Sequence, residues 1–263
     1  MLKAHEPAPY DWENFESDVP IIIACDHASN RVPEQLGNLG LAYGDLQKHI
    51  AVDIGTRLIG RYLARALNAA VIFTNYSRLV IDVNRGLDHP TSIAEVSDEI
   101  IIPRNINLSP VEKQNRAELF YHPYHQSIQK KIEHFLKKGI APVFLSIHSC
   151  TAVMQGFARP WEIGVLWHKD GRISEPLIKA LAKNNPHLTI GDNQPYSIPD
   201  DPTYSHSIAR HALRYGLPYT CVEFRQDLVA DDEGAEKMAK IYLESLKPFL
   251  DDADLYTPFI EAA

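Results

Sequence analysis

Short apolar runs alternate along the chain with longer stretches in which apolar residues recur every three or four positions, and this alternation predicts a β-α-β-α order. The runs at 21–25, 70–74, 79–83, 143–147 and 219–224 read as strands, with 163–167 as a sixth. Most are continuously hydrophobic, as strands are when helices cover both faces of a parallel sheet. Between them, Leu46, Ile50, Ile54, Leu58 and Tyr62 follow a helical repeat that stops near Asn68. A second helix opens at Ser109-Pro110-Val111-Glu112, where the N-cap serine and the glutamate satisfy free backbone donors and the proline has none to satisfy. Its apolar face, Phe120, Tyr124, Ile128, Ile132, Phe135 and Leu136, runs to Gly139. Further helices are predicted over 175–183, 204–215 and 233–246. The expected fold class is therefore α/β, with three layers (α/β/α) around a mostly parallel mixed sheet.

Two stretches follow neither period: 86–108, and 184–203 with Pro186, Pro195, Pro199 and Pro202. Both read as long loops, and in open α/β sheets ligand sites gather beyond the carboxyl ends of the strands. The 263 residues suit one α/β domain, with 1–17 as an N-terminal extension. Acidic residues outnumber basic ones by 34 to 26, a formal charge of −8, and no Lys/Arg run offers a surface to phosphates, so nucleic acid is not an expected partner. No apolar stretch approaches the roughly 18 residues of a membrane span, and the first residues contain no apolar secretory segment. A cytoplasmic location is the resulting expectation. Cys25, Cys150 and Cys221 are odd in number and widely spaced, which predicts free thiols rather than disulfides or a structural zinc site.

Polar residues follow the apolar runs. The first run ends in Cys25-Asp26-His27, the third in Asp82-Val83-Asn84-Arg85, the fourth in His148-Ser149-Cys150 and the last in Glu223-Phe224-Arg225. In a parallel sheet these ends share one edge, and charges gathered there must pair with one another or hold a metal. Two imidazoles and a carboxylate suit zinc, with a fourth position open to water. His27 and His148 are the ligand candidates. Asp53, on the predicted helical repeat, is the carboxylate candidate, with Asp26 as a rival and an ion pair to Arg57 as the plain alternative for Asp53. Glu223 has the chemistry to carry a proton from water to a leaving amine. Arg85 either bridges Asp82 or Glu223 or grips a substrate carboxylate. Two other readings stay open: a Cys/His nucleophile pair at Cys150–His148 or Cys25–His27, and a catalytically silent protein that holds an acidic ligand with Arg85 and Arg225.

These pieces, with Asp26-His27-Ala28-Ser29-Asn30-Arg31-Val32-Pro33, Asp53-Ile54-Gly55, Ser77-Arg78, Arg159-Pro160-Trp161-Glu162-Ile163-Gly164, Asn193-Gln194-Pro195-Tyr196-Ser197, Arg210-His211-Ala212 and Glu223-Phe224-Arg225-Gln226-Asp227-Leu228, resemble the N-formylglutamate amidohydrolase family over most of 18–230. That family is similar in architecture to zinc carboxypeptidases and aspartoacylases. The resemblance implies His27 and His148 on zinc, Glu223 in acid/base work, and Asn84 and Arg85 on a substrate carboxylate. Arg159, Arg225 and His211 are further candidates for substrate contacts, and Tyr196, His206 and His211 for oxyanion donors. The relatives place a glutamate ligand three residues after the first histidine, where this chain has Asn30, and Asp53 is the proposed replacement. The implied activity is zinc-dependent hydrolysis of an N-acyl amino acid, N-formylglutamate in the family's named reaction.

Overall fold

The computed structural model describes residues 2–260. In chain order its elements are β1 (Tyr10–Glu13), β2 (Ile21–Cys25), α1 (Thr56–Leu67), β3 (Ala70–Thr74), β4 (Val96–Ser97), β5 (Ile100–Ile101), α2 (Pro110–Arg116), α3 (His122–Leu136), β6 (Val143–Cys150), β7 (Val153–Met154), β8 (Phe157–Ala158), β9 (Ile163–Leu166), α4 (Ser174–Asn184), β10 (Ile190–Asp192), α5 (His206–His211), β11 (Tyr219–Arg225) and α6 (Asp232–Leu250). Seven strands form one sheet in the order β1-β3-β2-β6-β11-β9-β10. β3, β2, β6 and β11 run parallel, whereas β1 lies antiparallel outside β3 and β9 antiparallel beside β11. The fold is thus α/β around a mostly parallel mixed sheet.

Helices cover both faces, which explains the unbroken apolar runs. On one face Ile21, Ile23, Val222 and Phe224 pack against α1, α4 and α6 through Ile59, Leu63, Leu177, Met238 and Tyr242. On the other, Ile22, Ala24, Phe144 and Tyr219 meet α3 and α5 through Tyr124, Ile128, Phe135 and Ile208. Each fully buried isoleucine contributes about 1.5–3 kcal/mol by leaving water, so the central strands are fixed by their own side chains. Among the described residues no helix is long and apolar enough to cross a membrane.

Several predicted elements differ. Residues 79–83 are buried but form turns rather than a strand. Their carbonyls take side-chain donors instead of a ladder: Asn105 Nδ2 reaches Leu79 O at 2.9 Å and the buried Arg116 Nη1 reaches Val80 O at 2.8 Å. The helical repeat from Leu46 is broken. Leu46 sits in a short 3₁₀ turn, and α1 begins only after Gly55, whose φ of +83° a side chain would strain. The helix predicted from Ser109 keeps its capping box but widens into a π turn at Ala117–Tyr121, just before Pro123, which has no N–H to offer the carbonyl four residues back. Residues 204–215 split into α5 and a 3₁₀ turn at Leu213–Tyr215. Residues 10–13, read as part of an extension, form the sheet's edge strand, and the predicted loops contain the β4–β5 hairpin and β10.

Candidate metal centre and active site

The parallel register brings the chemistry together. Glu223 on β11 lies directly opposite His148 on β6, so their side chains leave the same face as neighbours. His27 follows β2 by two residues, and its carbonyl accepts the Asp53 N–H at 3.0 Å. That bond, not a helical stripe, carries Asp53 to the centre: the residue lies in the loop ahead of α1. Arg57, the alternative partner, turns away to Asp11, to Thr74 O and onto the Phe73 ring.

Asp53 Oδ2 lies 3.1 Å from His27 Nδ1 and 2.9 Å from His148 Nδ1. One donor atom from each residue falls within 4.8 Å of the others, and the two Asp53 separations, 3.1 and 2.9 Å, are near the roughly 3.3 Å between ligands of a tetrahedral zinc with bonds of about 2.0 Å. The remaining ring nitrogens have partners of their own. His27 Nε2 meets Asp82 Oδ1 at 2.7 Å, and His148 Nε2 meets Ser146 Oγ at 3.0 Å with Asp26 Oδ2 at 3.6 Å. With both rings carrying their proton on Nε2, the Nδ1 lone pairs and Asp53 face a common point, which is the orientation that outer hydrogen bonds give metal-bound histidines. The residues present therefore fit a divalent cation. Asp26 meets only the far side of His148, its other oxygen taking the Tyr124 hydroxyl at 2.6 Å.

Charge at the centre is uneven. Burial and the Arg78 guanidinium push the His27 imidazole down, but Asp82 and Asp53 outweigh them and raise it to about 9. The same carboxylates favour any cation held there. Against burial, which raises it, His27 and His148 hold Asp53 well below the usual carboxylate range. Glu223 goes the other way: burial lifts it to about 7, aided by Asp53 and opposed by His148, and its Oε2 is buried with no hydrogen-bond partner. A carboxyl poised near neutrality can both take and give a proton.

Arg78 is the residue the sequence reading did not place. Its Nη2 pairs with Asp82 Oδ2 at 2.7 Å, while its Nη1 lies 3.2 Å from His27 Nδ1 and 3.5 Å from Asp53 Oδ1. The signal was the i, i+4 spacing to Asp82, hidden by reading that segment as a strand.

A cavity of about 850 Å³ opens over the centre, lined by His27, Asp53, His148, Glu223, Arg78, Asn84 and Arg85 and walled in part by Tyr196 and Tyr204. Arg85 stacks on the Tyr204 ring at 4.8 Å, donates to Asn84 O, and makes no ion pair among the described residues. Neither Asp82 nor Glu223 is its partner, contrary to the bridging alternative. Asn84 is fixed by α5, whose Ser207 N–H reaches its Oδ1 at 3.0 Å. Arg159 stands behind this wall, donating to the Tyr196 hydroxyl at 2.7 Å. Arg225 is engaged by Asp227 and Glu162. His211 is buried against His125, whose Nε2 lies 2.9 Å from Val83 O. Neither Arg225 nor His211 is on the cavity wall, and His206 is likewise off it, donating from Nδ1 to Pro202 O at 2.8 Å.

The thiols do not suit nucleophilic work. Cys25 turns toward α1, its Sγ 3.6 Å from Thr56 O, and burial raises it well above an ordinary thiol. Cys150 does line the cavity, but burial and Glu223 push it up to about 12, the reverse of an activated thiolate.

Comparison with solved structures gives a gene product, Atu2144, from Agrobacterium tumefaciens, at 30% identity and TM-score 0.90, with 95% of this chain and 97% of that one covered. The N-formylglutamate amidohydrolase from Ralstonia eutropha JMP134 has the same fold at 19% identity and TM-score 0.68, covering 92% and 97%. The comparison with curated protein sequences gives no match. The profile of the N-formylglutamate amidohydrolase family matches residues 19–230, and the chain belongs to that family of amide-bond hydrolases.

Proposed function

We propose that the protein hydrolyses the N-acyl amide of an acylated amino acid, with N-formylglutamate as the family's model substrate, at a zinc centre held by His27, Asp53 and His148. The observation that carries this reading is the convergence of three buried donor atoms beside Glu223. A zinc ion there would supply Lewis acidity and a nucleophilic water at neutral pH. Glu223 takes the proton of the attacking water and returns it to the departing amine, a double duty suited to a carboxyl at about 7. Arg78, with Nη1 at the rim of the centre, holds negative charge developing on the carbonyl oxygen. Arg85, held over the Tyr204 ring, grips a substrate carboxylate, and Asn84 supports it from the same turn.

Elemental analysis combined with a panel of N-formyl and N-acetyl amino acids tests the reading. About one transition metal per chain is expected, together with hydrolysis that a chelator removes, and a preference for acidic side chains. Glu223→Gln is expected to keep the metal and lose about 10²–10⁴-fold in kcat. A metal-free protein with full activity, or an unimpaired Glu223→Gln variant, overturns it.

A further inference from the structure

The cavity is larger than N-formylglutamate requires. That molecule has about a dozen non-hydrogen atoms and needs roughly a third of the space, at the 20–30 Å³ per heavy atom of liquid-like packing, whereas the cavity holds about 850 Å³. Two small hairpins frame the excess. β4–β5 turns through Asp98 and Glu99, and β7–β8 through Gln155 and Gly156, each pair with positive φ at both positions, the tight connection that matches strand twist.

The hairpin registers show where the wall continues. Val96 lines the cavity, and its cross-strand partner is Ile101. Met154 lines it from the other hairpin, opposite Phe157. Directly opposed residues of an antiparallel pair project from the same face, so each lining residue has an apolar neighbour extending the surface outward. Val96, Ile101 and Phe157 are 52%, 58% and 59% exposed, with the Trp161 ring 6.4 Å from that of Phe157. The centre itself is charged, and although Ser97, Asp98 and Gln155 of the hairpins also line the cavity, Val96 and Met154 give its approach an apolar side chain on each of two sides.

From this we infer that the site takes N-acylated amino acids with an apolar extension beyond the scissile amide, either an acyl chain or a further hydrophobic residue. The extension lies between the hairpins, against Val96 and Ile101 on one side and Met154 and Phe157 on the other. The inference rests on the N-acyl amino acid reading above and adds to it the substrate class.

Calorimetric titration with compounds that replace the scissile amide by an amine tests it without turnover. N-alkyl-L-glutamates of increasing length extend the acyl side, and N-methyl-L-glutamyl-L-leucine against N-methyl-L-glutamate extends the other. Affinity is expected to rise about two- to fourfold per added methylene in the arm that follows the rim, which identifies the extension. The paired variant Ile101→Ser with Phe157→Ser flattens that slope. Affinities independent of length in both arms, or a slope unchanged in the paired variant, overturn the inference. N-formylglutamate hydrolysis assayed alongside keeps the two readings apart. Flat affinities with hydrolysis remove only the apolar subsite, and graded affinities without hydrolysis of any N-acyl amino acid remove only the catalytic reading.

Discussion

At the scale of single residues, the centre depends on partners outside the ligand set. Asp82 accepts from His27 Nε2 and anchors Arg78, so it fixes both the ring's protonated nitrogen and the nearest guanidinium. Asp82→Asn is expected to weaken metal binding about 10–100-fold, measured by competition with a chromophoric chelator. An unchanged affinity would mean that His27 needs no orienting partner. His27, His148 and Glu223 were legible because each ends or follows an apolar run, where a polar residue is conspicuous. Arg78 was not, since its meaning lies in a fold-back of the chain that periodicity does not encode. Asp53 was picked out on a helical stripe that does not exist; what delivers it is its backbone bond to His27.

Among the elements, α5 is short but positions the turn that carries Asn84 and Arg85. Its Ser207 N–H caps Asn84, and its last residue, His211, hydrogen-bonds through Nε2 to His125 Nδ1 at 2.8 Å. Since His125 donates from Nε2 to Val83 O, its Nδ1 is the acceptor and His211 the donor. The chain of bonds requires His125 neutral, and His211 Nδ1 is buried with no partner to receive a second proton's N–H. Burial, with Arg210 and His206, pushes His211 down to about 3, so the unfolded chain takes up its proton first as pH falls. The stability that neutral His211 preserves is complete above the unfolded value of about 6.5 and is lost between there and about 3, at up to about 1.4 kcal/mol per pH unit. Urea midpoints at pH 7.5 and 5 check this (about the flanks of that onset). The wild type is expected to lose more than His211→Gln, which keeps an N–H donor but does not titrate. Equal losses would show that the pair is not a source of acid sensitivity. None of this was readable beforehand: 204–215 looked like one helix, and a histidine pair separated by 86 positions leaves no local trace.

For the molecule as a whole, the sheet was foreseeable and its edges were not. Continuous apolar runs identify interior strands whatever their direction, so β2, β3, β6 and β11 emerged from the sequence. Direction is decided by connections and neighbours, which is why the antiparallel placement of β9 and the pairing of β1 with β3 became apparent only in three dimensions. The 79–83 run shows the limit in reverse, because burial alone makes a strand and a braced turn look alike. Together the mixed sheet gathers His27, Asp53, His148 and Glu223 from segments nearly two hundred positions apart onto one side of the molecule.

The β1 segment has a practical bearing on how this polypeptide is shortened. Its four residues occupy the hydrogen-bonding margin of β3, and Asp11 and Glu13 pin it to Arg57 and Arg61. Trimming the first thirteen residues would leave Ala70–Thr74, a strand apolar in all but its last residue, with open amides and carbonyls along its outer edge, an invitation to stack against another copy. Light scattering should register large particles from the shortened polypeptide and none from the intact one. Any affinity handle is better joined ahead of Tyr10 than substituted for it.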